Sequence, residues 1–146
     1  MIRGEQLLPK SGKYTGKFGG EGSGSTYELE KGHVFLVGMI HGVFFNDVAD
    51  GFLDKTEVTC PQVLDIVDGV IAAEHGYCVM TDKDGDKAFL VWQGKDTSPG
   101  VGGGTFQWTG GTGKFLGIQG NNTYRGAGIG KTMAAAVAWE GEWRLP

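Results

Sequence analysis

Glycine is the residue that most restricts what this chain can fold into. It holds 28 of 146 positions, about 19% against about 7% in ordinary proteins, while proline holds only 4. Helices tolerate glycine poorly, because it loses the most backbone freedom on ordering. The chain is not a linker or a collagen either: 40% of its residues are hydrophobic and 21% charged, enough apolar side chain to bury one core. Glycine without proline therefore marks turns, bulges and bends in a sheet. A length of 146 residues suits one domain.

The apolar runs agree. His33 to Phe45 is β-branched and aromatic and is interrupted by Gly38 and Gly42, which reads as one long bent strand. Both faces are apolar: Phe35, Val37, Met39, Val43 and Phe45 on one, Val34, Leu36, Ile40 and Phe44 on the other. Leu53 to Cys60 reads as a strand closing at Pro61, and Gln62 to Val70 has no assignable type. Ile71 to Thr81 and Lys87 to Gln93 flank Asp82-Lys83-Asp84-Gly85-Asp86, whose Asp-Gly pair favours a hairpin turn. Gly103 to Thr109, Ile118 to Ala127 and Met133 to Arg144 supply three more runs. Ala134, Ala135 and Ala136 have helical propensity, but Trp139-Glu140-Gly141-Glu142-Trp143 alternates strictly, so the whole stretch is taken as a strand.

Residues 1–24 are rich in Gly, Ser and Lys without an apolar period, and are expected as a flexible segment preceding a single domain over 25–146. Roughly eight strands without crossover helices give an all-β domain. An eight-stranded antiparallel up-and-down β-barrel is favoured over a sandwich. Closure removes the sheet edges, and glycines inside strands supply the bends of a tightly curved sheet. Such a barrel encloses side chains or one small ligand.

Several chemistries lose support at once. A net charge of -4 and a pI near 5.3 leave no basic footprint for nucleic acid, and no apolar run approaches the ~18 residues of a membrane span. The first residues carry no apolar segment of signal-peptide type, so the chain is cytoplasmic, or secreted with its signal removed. The acidic loop at Asp82 lacks the glycine and glutamate of a calcium loop, since Lys87 and Gln93 stand there. Phe115 follows Gly113-Lys114 where a phosphate-binding loop needs Ser or Thr. Cys60 and Cys78 match no zinc spacing, and two buried thiols are preferred to one bridge. No metal and no cofactor is expected.

The stretch Gly110-Gly111-Thr112-Gly113-Lys114-Phe115-Leu116-Gly117-Ile118-Gln119-Gly120 resembles the glycine-rich strand connection of the allene oxide cyclase and dirigent barrel families. The resemblance implies an eight-stranded antiparallel barrel that often forms dimers or trimers and holds an elongated apolar or phenolic molecule in its lumen. Its chemistry would be cyclisation or steering of a reactive phenolic species. The motif is a structural turn and transfers no catalytic residue.

Candidates for chemistry must therefore be polar groups among apolar strand residues. His41 shares a face with Met39 and Val43 and could serve as an acid or base inside the barrel. Glu57 and Glu74 lie in strands, where a carboxyl facing the lumen would move protons. His75 and Tyr77 lie on the face opposite Glu74, and they are chosen over it for the lumen. Arg125 could anchor a carboxylate or phenolate. The expected set is thus His41, Glu57, His75, Tyr77 and Arg125 for catalysis, with Phe35, Met39, Trp92, Tyr124 and Trp139 as ligand contacts. The leading function is a cofactor-free cyclase or isomerase acting on a small apolar or phenolic molecule. The alternative is a non-catalytic binder of a hydrophobic small molecule. A third reading fills the barrel with side chains and gives the His33 to Phe45 strand to a homo-oligomer interface.

Overall fold

The computed structural model describes residues 8–129 and 134–146. Eight antiparallel strands close into a barrel in chain order: β1 Ser11–Glu30, β2 His33–Asn46, β3 Thr56–Val67, β4 Val70–Thr81, β5 Lys87–Ser98, β6 Val101–Gly111, β7 Asn121–Ile129 and β8 Ala134–Arg144. β8 returns to pair with β1, from Ser11 opposite Arg144 to Glu21 opposite Ala134. No helix among the described residues is long and apolar enough to cross a membrane.

Three boundaries differ from the sequence reading, each for a physical reason. Residues 11–24, expected as part of a loose leader, belong to β1, whose inward positions Tyr14, Gly16 and Phe18 are buried. The glycines there are strand residues on a curved wall. Gly16, for example, lies beneath the ring of Phe44 and would meet it with any side chain. β3 runs through Pro61 instead of closing at it. Proline cannot donate to a ladder, and the β3 to β4 pairing is interrupted there, with Thr59 opposite Val79 and then Gln62 opposite Gly76. Cys60 and Cys78 bridge that interruption as a disulfide, their Cα atoms 4.1 Å apart. The hairpin brings the two residues opposite each other, which their separation along the chain does not reveal. Finally, Ile118 precedes β7, and a single 3₁₀ turn occupies Gly113–Phe115.

The two ends of the barrel are built differently. At the lower end, the connections 47–55 and 112–120 fold back across the opening. They bury Phe52, Leu53, Phe115 and Ile118 against Tyr14, Phe44, Trp108 and Trp143. Phe52 stacks on Trp143 with ring centroids 4.1 Å apart and planes 2° from parallel. The 47–55 loop is held by polar bonds. Asp54 accepts from the backbone N–H of Asn46 and of Asp50, each at 2.9 Å, and Asn46 donates to the Phe52 carbonyl at 2.8 Å. These bonds offset the left-handed backbone of Leu53, at φ 57°, which costs a non-glycine residue about 1–2 kcal/mol. At the upper end the described connections are short turns, residues 31–32, 68–69 and 99–100, and none of them folds inward.

Candidate functional site in the upper lumen

Inward residues alternate with outward ones along each strand, and in the upper half they enclose a cavity of about 290 Å³. Phe18, Leu90, Phe106 and Trp139, all buried, meet the packed lower core; Phe106 and Trp139 lie 4.9 Å apart. Ile40, Gln62, Trp92, Val137 and the disulfide line the sides. Gly76 leaves space for Trp92: a Cβ there would stand 2.8 Å from the indole.

One polar row crosses this apolar space. Glu74 on β4 is opposite Gly94 on β5, Gly94 is opposite Gly104 on β6, and Gly104 is opposite Tyr124 on β7. The two glycines between leave a trough, and the Tyr124 hydroxyl crosses it to donate to Glu74 Oε2 at 2.6 Å. A Cβ at Gly94 would collide with that hydroxyl. Burial pushes the Glu74 carboxyl above the ordinary glutamate range, the Tyr124 bond opposes this, and the negative charge of Asp96 adds to it. Burial, with Glu74 alongside, also raises the Tyr124 hydroxyl far beyond the usual phenol value. Asp96 lines the same cavity, and its Oδ2 accepts from the backbone N–H of Ile71 at 3.0 Å, tying β4 to β5 above their last paired residues. The Trp92 Nε1–H is buried and finds no hydrogen-bond partner among the described residues.

This placement corrects the expected position of the candidate set. His41, Glu57, His75, Tyr77 and Arg125 all lie on the outer surface. His41 Nδ1 is 2.9 Å from Thr59 Oγ1 and its Nε2 is 3.6 Å from Glu57 Oε1, on the exterior of β2 and β3. His75 Nδ1 is 3.0 Å from the Trp92 carbonyl, and its ring meets that of Tyr77 edge-on. Phe35 and Met39 share the outer face of β2, with Met39 42% exposed. Of the expected ligand contacts, Trp92, Tyr124 and Trp139 line the cavity.

The choice of His75 and Tyr77 over Glu74 went the wrong way for a legible reason. Glu74 shares its face with Gly76, Cys78 and Met80, whereas His75 and Tyr77 share theirs with Val79 and Thr81. The small and sulfur-bearing side belongs inside a narrow barrel. In β2 the signal is again glycine: Gly38 and Gly42 sit on the face of Leu36, Ile40 and Phe44, where the wall is tightest. Asp96 lies outside the expected set, and its parity with Trp92 is the signal that places it inside.

The acidic hairpin holds its own cation. Lys114 reaches it from the 112–120 connection, bonding Asp82, with Asp84 at 3.1 Å and Asp86 at 3.2 Å. Its ammonium loses solvation there, but the three carboxylates outweigh that loss and raise its affinity for the proton. No group of three or more His, Cys, Asp or Glu among the described residues is placed to hold a metal ion. The glycine-rich connection carries Phe115 into the lower core.

Two solved structures are similar over nearly the whole barrel. The pterocarpan synthase dirigent protein PsPTS1 superposes with a TM-score of 0.57 at 13% identity, over 93% of this chain and 96% of that one. GePTS1, also a pterocarpan synthase dirigent protein, gives 0.53 at 10% identity, over 97% of this chain and 89% of that one. The chain has the dirigent fold. No family model and no curated protein matches its sequence. At such identities the likeness reaches the path of the backbone and not the residues in the lumen.

Proposed function

We propose that the upper lumen binds one small apolar, aromatic or phenolic molecule, and that Glu74 exchanges a proton with it in a cofactor-free cyclisation or isomerisation. The observation that carries this reading is the Glu74–Tyr124 pair inside an otherwise apolar cavity. A carboxyl held above its ordinary range by burial keeps a proton available closer to neutral pH, as general acid catalysis needs. When that proton passes to a ligand oxygen, the Tyr124 hydroxyl already donates to Oε2 and steadies the carboxylate left behind. A cavity of about 290 Å³ sits near the lower limit of small-molecule pockets, roughly 300 Å³, which suits a compact ring system. The pterocarpan synthase neighbours support a ring-forming reaction on such a scaffold.

The binder without chemistry is the second reading, and the closed aromatic wall supports it equally well. Incubating the protein with cell extract, followed by mass spectrometry of retained and released compounds, separates the two. Conversion by the native protein, with Glu74→Gln retaining the same compound unconverted, supports the enzyme. Equal retention without conversion by both leaves the binder, and retention of nothing defeats both. Val37, Met39, Phe45 and Tyr77 are exposed on the outside. We extend the proposal to a homo-oligomer, dimer or trimer, formed through that face, for which sedimentation equilibrium at the mass of one chain would be the contrary result.

A further inference from the structure

The described residues lining the cavity include two carboxyl groups, Glu74 and Asp96, and no lysine, arginine or histidine. Arg125 and the histidines, which could have met an anionic ligand, lie outside the wall. The hydroxyl proton of Tyr124 is committed to Glu74, so beside the Glu74 proton the cavity offers the Asp96 carboxylate and the phenol oxygen as acceptors. Around them stand the rings of Phe18, Trp92, Phe106 and Trp139, whose faces attract cations. An anion entering this space would lose its water and gain a repulsive neighbour, whereas an ammonium would trade its water for carboxylate oxygens and ring faces.

We infer that the lumen selects ligands bearing a protonated amine on an aromatic skeleton and rejects the corresponding carboxylates. The inference rests on the reading of the upper lumen as a ligand site, and the two fail differently. Naphthylethylamine, naphthylethanol and naphthylacetate share one ring system and differ in charge, and their binding can be followed by quenching of the lumen tryptophans and by calorimetry. The amine should bind at least about tenfold more tightly than the carboxylate, with the alcohol between, a ratio equal to ~1.4 kcal/mol. In Asp96→Asn, which keeps an oxygen to accept from Ile71, the ratio of amine to carboxylate affinity should shrink to about threefold or less. Asp96→Ser, which also removes the charge and keeps an oxygen, provides the same comparison should Asp96→Asn fail to fold.

Binding of the alcohol with equal or tighter binding of the carboxylate than the amine would overturn the charge selectivity and leave the ligand site standing. A ratio that stays the same in the folded variants would also overturn it. If none of the three compounds binds, the ligand site itself falls, and the selectivity with it.

Discussion

The lower and upper halves of the barrel use the same alternating strands, yet one is solid and the other hollow. Below, two long connections bring Phe52, Leu53, Phe115 and Ile118 inward, and buried polar groups find partners. Tyr14 donates to Asn122 at 2.7 Å, and Trp108 donates to the Glu142 carbonyl at 3.0 Å. Above, the described turns are short, the inward positions include Gly94, Gly102, Gly104 and Gly126, and the Trp92 Nε1–H meets no partner among the described residues. The inward-folding loops and the inward glycines thus set where the barrel is filled among the described residues. The strand pattern decides only that something must fill it, whether side chain or ligand.

That contrast is open to direct attack, beginning with the largest effect. Phe52→Ala removes the ring stacked on Trp143 and should cost about 3–5 kcal/mol, as for other large core truncations. Ile40→Ala, half-buried beside space already empty, should cost about 2 kcal/mol, the low end for such truncations. Urea unfolding of the two variants tests the pair, and equal losses would mean that the upper half is packed after all. Removing the disulfide with Cys60→Ala and Cys78→Ala should lower stability by about 3 kcal/mol through the freed loop. A reductant that shifts the native transition and leaves the double variant untouched would check it.

Smaller effects sharpen the picture of the polar row. Gly94→Ala forces the Tyr124 hydroxyl aside and should destabilise by about 1–3 kcal/mol through overpacking. It should also break the bond to Glu74, which would appear as an altered tyrosine absorbance on alkaline titration. Glu74→Gln should change the pH dependence more than the stability itself. Because the carboxyl is raised above its ordinary value of 4.5, the folded state holds that proton more tightly than the unfolded chain. This contribution is complete below the ordinary value and is lost as pH rises through the folded one. Native protein should therefore lose stability relative to Glu74→Gln as pH rises through that window, measured by parallel thermal melts. A constant difference would place Glu74 in solvent.

Much of the architecture was legible in the residues. Seven strand-like runs, hairpin turns such as Asp84-Gly85, and glycines where a helix would suffer leave few alternatives to a rolled antiparallel sheet, although β1 hides in a stretch without an apolar period. The turn at residues 110–120 pointed to the right fold. The face of each strand was harder. Where both faces are apolar, as from Val34 to Phe45, hydrophobicity cannot choose the inside, and the histidines drew attention to the outer one. The polar row was illegible for another reason, since Glu74 and Tyr124 lie 50 residues apart and meet only across two intervening strands.

The sequence by itself determined that this chain rolls into a glycine-bent, closed sheet, because period-two alternation and backbone freedom are local properties. The tertiary structure alone decided which side of each strand faces the interior, that Cys60 meets Cys78, and that two carboxyl groups share the cavity. Those outcomes depend on register around a closed ring, where the last strand must meet the first and every strand's inside is fixed together.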